Sequence, residues 1–355
     1  MTKPLKLVLL ILLIACSNNV FAGNKDRQGE AGASELLINP WARSSGWDGL
    51  NTACIRGIES LNLNVAGLAF TRKTELVFSH TNWLGGTGIS FNTFGLAQSL
   101  GKSGGVLGIS IMSIDFGDIP ITTTASPEGG LGTFSPQFFN GALAYSKVFS
   151  NSIYGGIALR VISESLADVN AIGVAFDAGI QYVTGPQADP TAVKFGIALR
   201  NVGAPMRYGG DGLSFRGQSP EGNYSMTLEQ RSNGYELPSL LNIGGSYDFK
   251  FGPEGKPSHR LTVAANFTSH SFTQDQVGGG LEYAFKEMVM IRGGYNYQGS
   301  LADAENRVTA LTGLSGGLTF EVPLKQNGAT LGIDYSYRTS NPFDGSHAIG
   351  IRMNL

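Results

Sequence analysis

From Ala329 to Arg338 the chain alternates strictly between two kinds of side chain. Ala329, Leu331, Ile333, Tyr335 and Tyr337 fall on one parity, and Thr330, Gly332, Asp334, Ser336 and Arg338 on the other. Successive side chains of a strand point to opposite faces, so this pattern makes one face apolar and the other polar. It recurs: Val193, Phe195, Ile197 and Leu199 oppose Lys194, Gly196, Ala198 and Arg200, and Leu241, Ile243, Tyr247 and Phe249 oppose Asn242, Gly244, Ser246 and Asp248. Fourteen such segments lie near 74–81, 87–100, 104–115, 137–149, 152–164, 171–183, 191–202, 238–250, 259–269, 276–285, 288–297, 311–323, 329–338 and 346–355. Most are too long for soluble strands, which average about 5 or 6 residues. They suit a tilted membrane strand, which needs about 9 to 11. The even count is that of a bacterial outer-membrane barrel. The expected fold is all-β: a transmembrane barrel of about 14 antiparallel strands.

The connections agree. Gly101–Ser103, Ser150–Asn151, Gly185–Pro190, Phe251–Ser258, Lys286–Glu287 and Leu324–Gly328 are short, whereas Phe116–Pro136 and Gly203–Leu237 are long. Short periplasmic turns facing long outer loops are a property of outer-membrane barrels. Trp83, Phe149, Tyr182, Phe251, Phe285, Tyr297 and Tyr337 sit near strand ends, where an aromatic girdle belongs. Composition narrows the alternatives. Only 15% of residues are charged, which is low for a soluble domain, and the face carrying Leu, Ile, Val, Phe and Tyr is nearly free of charge. Lys and Arg number 25 against 27 Asp and Glu, with no basic run, so no nucleic-acid partner is expected. Outer-membrane lipid is the expected surroundings.

Residues 1–22 read as a signal peptide: Lys3 and Lys6, an apolar run from Leu7, then Val20-Phe21-Ala22, with cleavage after Ala22. Leu13-Ile14-Ala15-Cys16 offers a lipoprotein-type alternative that would lipidate Cys16. Residues 23–73 lack the long alternation and hold Trp41, Arg43, Trp47 and Arg56, so they are assigned to a plug inside the barrel formed by 74–355. The inward parity mixes small residues with charges of both signs, including Arg160, Asp177, Arg200, Glu282, Arg292, Asp334 and Arg352. Pairing with one another and with the plug is the simplest role for them. Arg43, Trp47, Arg56, Asn64, Gly67, Arg200 and Arg292 are the plug and lumen candidates.

Catalytic signals are weak, and no enzyme activity or cofactor is expected. Gly313-Leu314-Ser315-Gly316-Gly317 matches the nucleophile elbow formally, but that motif needs a strand, a turn and a helix. Here the alternation continues through Leu318 to Val322. The four histidines show no metal-binding spacing.

Several blocks carry a resemblance. Gly32-Ala33, Leu36-Leu37-Ile38 and Ala42-Arg43-Ser44-Ser45-Gly46-Trp47-Asp48-Gly49 resemble the opening of the PorV/PorQ family of outer-membrane proteins. Asn64-Val65-Ala66-Gly67-Leu68, Ser79-His80-Thr81-Asn82-Trp83-Leu84, Phe116-Gly117-Asp118-Ile119, Gly173-Val174-Ala175-Phe176-Asp177 and Arg200-Asn201-Val202-Gly203 resemble its later blocks. Trp47 stands where Met is usual, Val65 replaces Pro, and Leu355 replaces a terminal Phe. The resemblance implies a fourteen-stranded barrel similar to the FadL channels, with an N-terminal plug. It also implies a place in the type IX secretion pathway of Bacteroidota, with secretion-system components or secreted protein cargo as partners. The loop from Gly203 to Leu237 offers Met206, Tyr208, Phe215, Tyr224 and Met226 as partner-binding candidates. The alternative is a FadL-like transporter of a hydrophobic small molecule. A lumen read as small and charged favours the first.

Overall fold

The computed structural model describes residues 27–101, 104–184, 193–219, 222–252, 258–299, 301, 307, 309–324 and 328–355. The signal segment, its cleavage point and Cys16 lie outside the described residues.

The chain opens with β1 (Thr74–Trp83), β2 (Ile89–Ser99) and β3 (Val106–Asp115), carries the two-residue β4 (Ile119–Pro120) and β5 (Thr133–Phe134) in the first long loop, and returns in β6 (Gln137–Val148). Then come β7 (Ile153–Leu166), β8 (Val169–Val183) and β9 (Val193–Gly203), followed by β10 (Ser214–Gln218) and β11 (Ser225–Glu229). The chain continues through β12 (Leu240–Phe251), β13 (His259–His270), β14 (Gln276–Phe285), β15 (Val289–Gln298), β16 (Leu311–Pro323), β17 (Thr330–Ser340) and β18 (Ser346–Asn354). Fourteen strands close into an antiparallel barrel, whose seam joins β1 to β18 from Glu75 opposite Asn354 to Asn82 opposite His347. The remaining four form two small hairpins, β4–β5 and β10–β11, inside the long loops. The expected transmembrane barrel is present, with every expected segment on a strand of the wall.

Alternation sets the two faces. Along β3, Val106, Ser110, Met112 and Ile114 are buried while Leu107, Ile109 and Ile111 are exposed. Exposed Leu, Ile, Val, Phe and Tyr continue around the outer wall. Such a surface is stable only against hydrocarbon, and closure leaves no strand edge to satisfy there. Trp83 departs from the girdle expected for it. It shares the parity of Ser79 and Thr81, faces inward, and packs edge-on against Phe91 at 5.5 Å. Its ring also carries the Arg338 guanidinium at 4.8 Å.

Residues 27–73 fill the lumen as a plug of short turns. They comprise 3-10 turns at Ser34–Leu37, Ile58–Asn62 and Val65–Phe70, and a one-turn helix α1 (Ala42–Ser45). The plug is threaded in one direction. It starts among the long loops, where Gly32 N–H donates to the Glu236 carbonyl (3.0 Å) and Arg27 lies over the Phe272 ring (4.3 Å). It ends at the short-turn mouth, entering β1 at Thr74.

The inner wall has two arcs. On β1, β2, β3, β6 and β7 it presents Val77, Ala97, Val106, Ala142, Ala144 and Ala158, small enough to admit Trp41, Ile58, Leu61, Val65 and Leu68 of the plug. Toward the long-loop end this arc becomes larger and apolar, with Phe91, Met112 and Ile114 beside Ile38, Trp83, Ile89, Phe116 and Phe138. The arc from β7 to β18 carries charges, mostly paired: Arg160 with Asp177 (2.9 Å), Lys194 with Asp248 (2.5 Å), Arg292 with Glu282 (2.8 Å) and Arg352 with Glu321 (2.9 Å). Buried ion pairs cost desolvation, so such pairing is what lets these charges line a packed lumen. The inner face is therefore not uniformly small and charged, as the sequence had suggested. Around Phe91, Met112 and Ile114 it is apolar.

Candidate functional site

A cavity lies on each side of the plug. The upper, toward the long loops, has a volume of about 430 Å³. Leu37, Ile38 and Leu63 of the plug and Trp83, Leu240 and Leu311 of the wall give it an apolar side. Its other side holds Arg200, Asn242, His270 and Asn296. Arg200, Asn242 and His270 are all buried, yet Arg200 Nε, Asn242 Nδ2 and His270 Nε2 have no hydrogen-bond partner among the described residues. Leaving a buried polar atom unmade is costly, so these nitrogens, with the equally unpartnered Asn296 Oδ1, leave hydrogen-bonding capacity unused around the cavity.

The lower cavity, at the short-turn mouth, is larger, at about 610 Å³, and highly charged. Arg43, Arg56, Arg72 and Lys73 enter it from the plug, facing Glu59, Asp248, Glu282 and Glu321. Cys54 also lines it, as a free thiol whose value burial pushes up, which keeps it protonated.

Each plug and lumen candidate has a definite place. Arg43, on α1, donates to the Met290 sulfur at 3.3 Å. Trp47 packs over Gly280 and Gly294, where a β-carbon would meet it. Arg56 lies on the Phe70 ring at 4.7 Å. Asn64 caps the turn Val65–Phe70 by accepting from Ala66 N–H (3.2 Å), and its amide reaches the carbonyls of Thr52 and Ile180, both at 3.1 Å. That ties the plug to β8. Gly67 lies so close to the Ile55 carbonyl that no side chain fits. Arg200 holds the Leu36 carbonyl at 3.2 Å, and Arg292 bonds both Glu282 and Thr319.

The partner-binding candidates separate into two groups. Met206 is 1% exposed and packs in a cluster with Ile162, Ala175 and Leu237. The Tyr208 phenol donates to Glu164, as does that of Tyr235 (2.8 Å). Phe215 and Tyr224 stand 52% and 61% exposed on or beside the β10–β11 hairpin, and Met226 is half-buried within it. Ser315, in the elbow-like motif, is buried on β16 and donates to the Gly46 carbonyl (3.1 Å), with no helix following.

Sequence reasoning missed His270 and Asn242 as site residues, and Glu35 and Glu164 altogether. His270 was within reach. It has the inward parity of Thr262, Asn266 and Thr268, one residue past the expected strand end.

No protein-family model and no curated protein matches the sequence. Solved structures do. The toluene transporter TodX of Pseudomonas putida is similar with a TM-score of 0.53 and 11% identity, covering 89% of this chain and 97% of that one. A deltaS2 mutant of the TodX monoaromatic hydrocarbon channel gives 0.51 and 12% over the same shares. A FadL homologue of Pseudomonas aeruginosa gives 0.47 and 10%, covering 89% and 98%. The shared feature is the fold, a closed β-barrel. Nothing in these comparisons bears on the PorV/PorQ group or on type IX secretion.

Proposed function

We propose that this chain is an outer-membrane channel for a small, largely hydrophobic molecule that carries a hydrogen-bond-accepting end, with the plug as its gate. The upper cavity carries this reading. Leu37, Ile38, Trp83 and Leu240 suit the apolar body, and the unpartnered N–H donors of Arg200 and Asn242, with His270 in its Nε2–H tautomer, suit the acceptor. Ligand sites commonly combine an apolar lining with a few placed polar groups. The long loops then face outward and the charged lower cavity faces the periplasm. Likeness to a barrel described as a toluene transporter supports the reading through its fold.

Binding to the purified barrel tests it. Octanoate, with a carboxylate, is compared with toluene, which has no acceptor. Octanoate is expected to bind, and Arg200→Ala with His270→Ala to weaken it by about tenfold or more, since a hydrogen bond to a charged group contributes about 1.5–3 kcal/mol. Toluene binding should be little changed. Equal loss for both ligands, or binding of neither, would sink the reading.

A second reading rests on one observation, the exposed Phe215 and Tyr224 at the β10–β11 hairpin. These suit the holding of a protein partner, such as a secretion-system component or secreted cargo of a type IX pathway. If so, purification from the native membrane in mild detergent yields a stoichiometric protein partner, which Phe215→Ser with Tyr224→Ser releases while the barrel keeps its heat-resistant migration. A barrel that purifies alone in both forms argues against it.

A further inference from the structure

We infer that the carboxyl of Glu35 in the plug donates a hydrogen bond to Glu164 of β7, and that this proton latches the plug to the long loop above the upper cavity. The inference rests on the channel reading only for its consequence; the latch itself is a property of the fold.

The geometry starts with burial. Glu35 and Glu164 are 4% and 3% exposed, and Ala33 and Leu36, flanking Glu35, pack in one cluster with Ile162 of β7, Tyr208 and Tyr235. Glu35 Oε1 and Glu164 Oε1 have no hydrogen-bond partner among the described residues. Tyr208 and Tyr235, both from the Gly203–Leu237 loop, donate to the other oxygen of Glu164. Their rings lie side by side, 5.6 Å apart. Plug, wall and loop therefore meet at one pair of acids.

Nearby charges do not neutralise the pair. Arg160 of β7 is turned to Asp177 of β8 (2.9 Å) and to the Leu61 carbonyl (2.9 Å). Arg200 of β9 donates to the Leu36 carbonyl. Arg27 pairs with Glu30 and Glu236 near the surface. Two carboxyls brought together in a buried site cannot both ionise cheaply, so Glu35 keeps its proton and can donate it to Glu164. Consistent with this, the Glu35 carboxyl is pushed up to about 8, first by burial and then by the charge of Glu164. Burial also raises both phenols, which keeps them donors.

Loss of the proton to solvent leaves two facing carboxylates and repulsion across the plug–loop contact. The contact also contains the backbone pairing of Gly32 with Glu236 and the Tyr235 ring over Gly32. Ser34 and Leu37, on either side of Glu35 and Leu36, line the upper cavity. Release therefore loosens the wall of the proposed site. The sign follows from linkage. A carboxyl raised by folding gives its full stabilisation below about 4.5 and loses it as the pH climbs through about 8.

Hydrogen exchange on the intact barrel in detergent, corrected for intrinsic rates, tests the latch between pH 5 and 9.5. Protection over residues 30–40 and 204–237 should fall by up to about tenfold per pH unit at the alkaline end, while β12–β18 stay constant. Glu35→Gln should flatten that profile. Should Glu35→Gln fail to fold, Glu164→Gln serves the same purpose, and Tyr235→Phe should lower protection at every pH. A flat profile in the unaltered protein, or an unchanged slope in the Gln variants, overturns the latch. Octanoate uptake into liposomes, measured on the same samples, separates the two ideas. A pH-dependent latch without uptake at any pH leaves the latch standing and removes the channel.

Discussion

At the scale of single residues, the plug is held by close contacts that tolerate no extra atom. A β-carbon on Gly67 would come within 2.3 Å of the Ile55 carbonyl oxygen and 2.8 Å of Ser60 Cβ. Both neighbours belong to the plug itself, so the strain falls there and not on the wall. Overpacking of this kind costs about 1–3 kcal/mol. Gly67→Ala should therefore open residues 50–72 to protease while the barrel keeps its heat-resistant band. An unaltered cleavage pattern would show that the turn has room to yield. Inward charges were legible at this scale wherever their strand had a clean polar parity, as with Asp334 and Arg352. The character of the inward face was illegible where both parities are apolar. In β3 the inward set, Val106, Met112 and Ile114, looks no different from the outward set, Leu107, Ile109 and Ile111. The apolar arc of the lumen was hidden for that reason.

At the scale of elements, the strands could be read from sequence because each repeats its own two-residue rule. The plug turns could not, because their order comes from contacts with the wall. Asn64 bonds Ile180, Ser315 bonds Gly46, and Ser79 accepts from Ala42 N–H. None of these pairs is near in sequence. The contact of α1 with β18 allows a direct test of gating. A β-carbon at Gly350 would lie 3.1 Å from Ala42 Cβ, a little under the usual disulfide spacing of about 3.5–4.5 Å. Small adjustment should let Ala42→Cys with Gly350→Cys cross-link. The oxidised variant is expected to bind octanoate but to pass it at least about tenfold more slowly, with uptake restored by reductant, if plug movement gates passage. Unchanged flux with the cross-link formed would mean that the molecule never needs α1 to leave the wall.

At the scale of the whole molecule, the division of the inner wall matters most. The apolar cluster around Phe91 and Ile114 lies toward the outer mouth, whereas the cavity at the short-turn mouth is lined largely by charges. A hydrophobic solute thus meets favourable contact on entering and a polar barrier beyond the plug. This asymmetry gives the plug a physical task, because it stands where the character of the lumen changes.

The one-way course of the plug has a further consequence for biogenesis. The segment from Arg27 to Lys73 runs through the lumen from the long-loop mouth to the mouth where β1 begins, and β1 is also one half of the seam. A finished barrel packed around Trp41, Ile58 and Leu68 leaves no room to draw that segment through afterwards. The first strand and the last must therefore zip together around a thread already in place, so that joining the ends of the sheet is also the step that seals the chain inside itself.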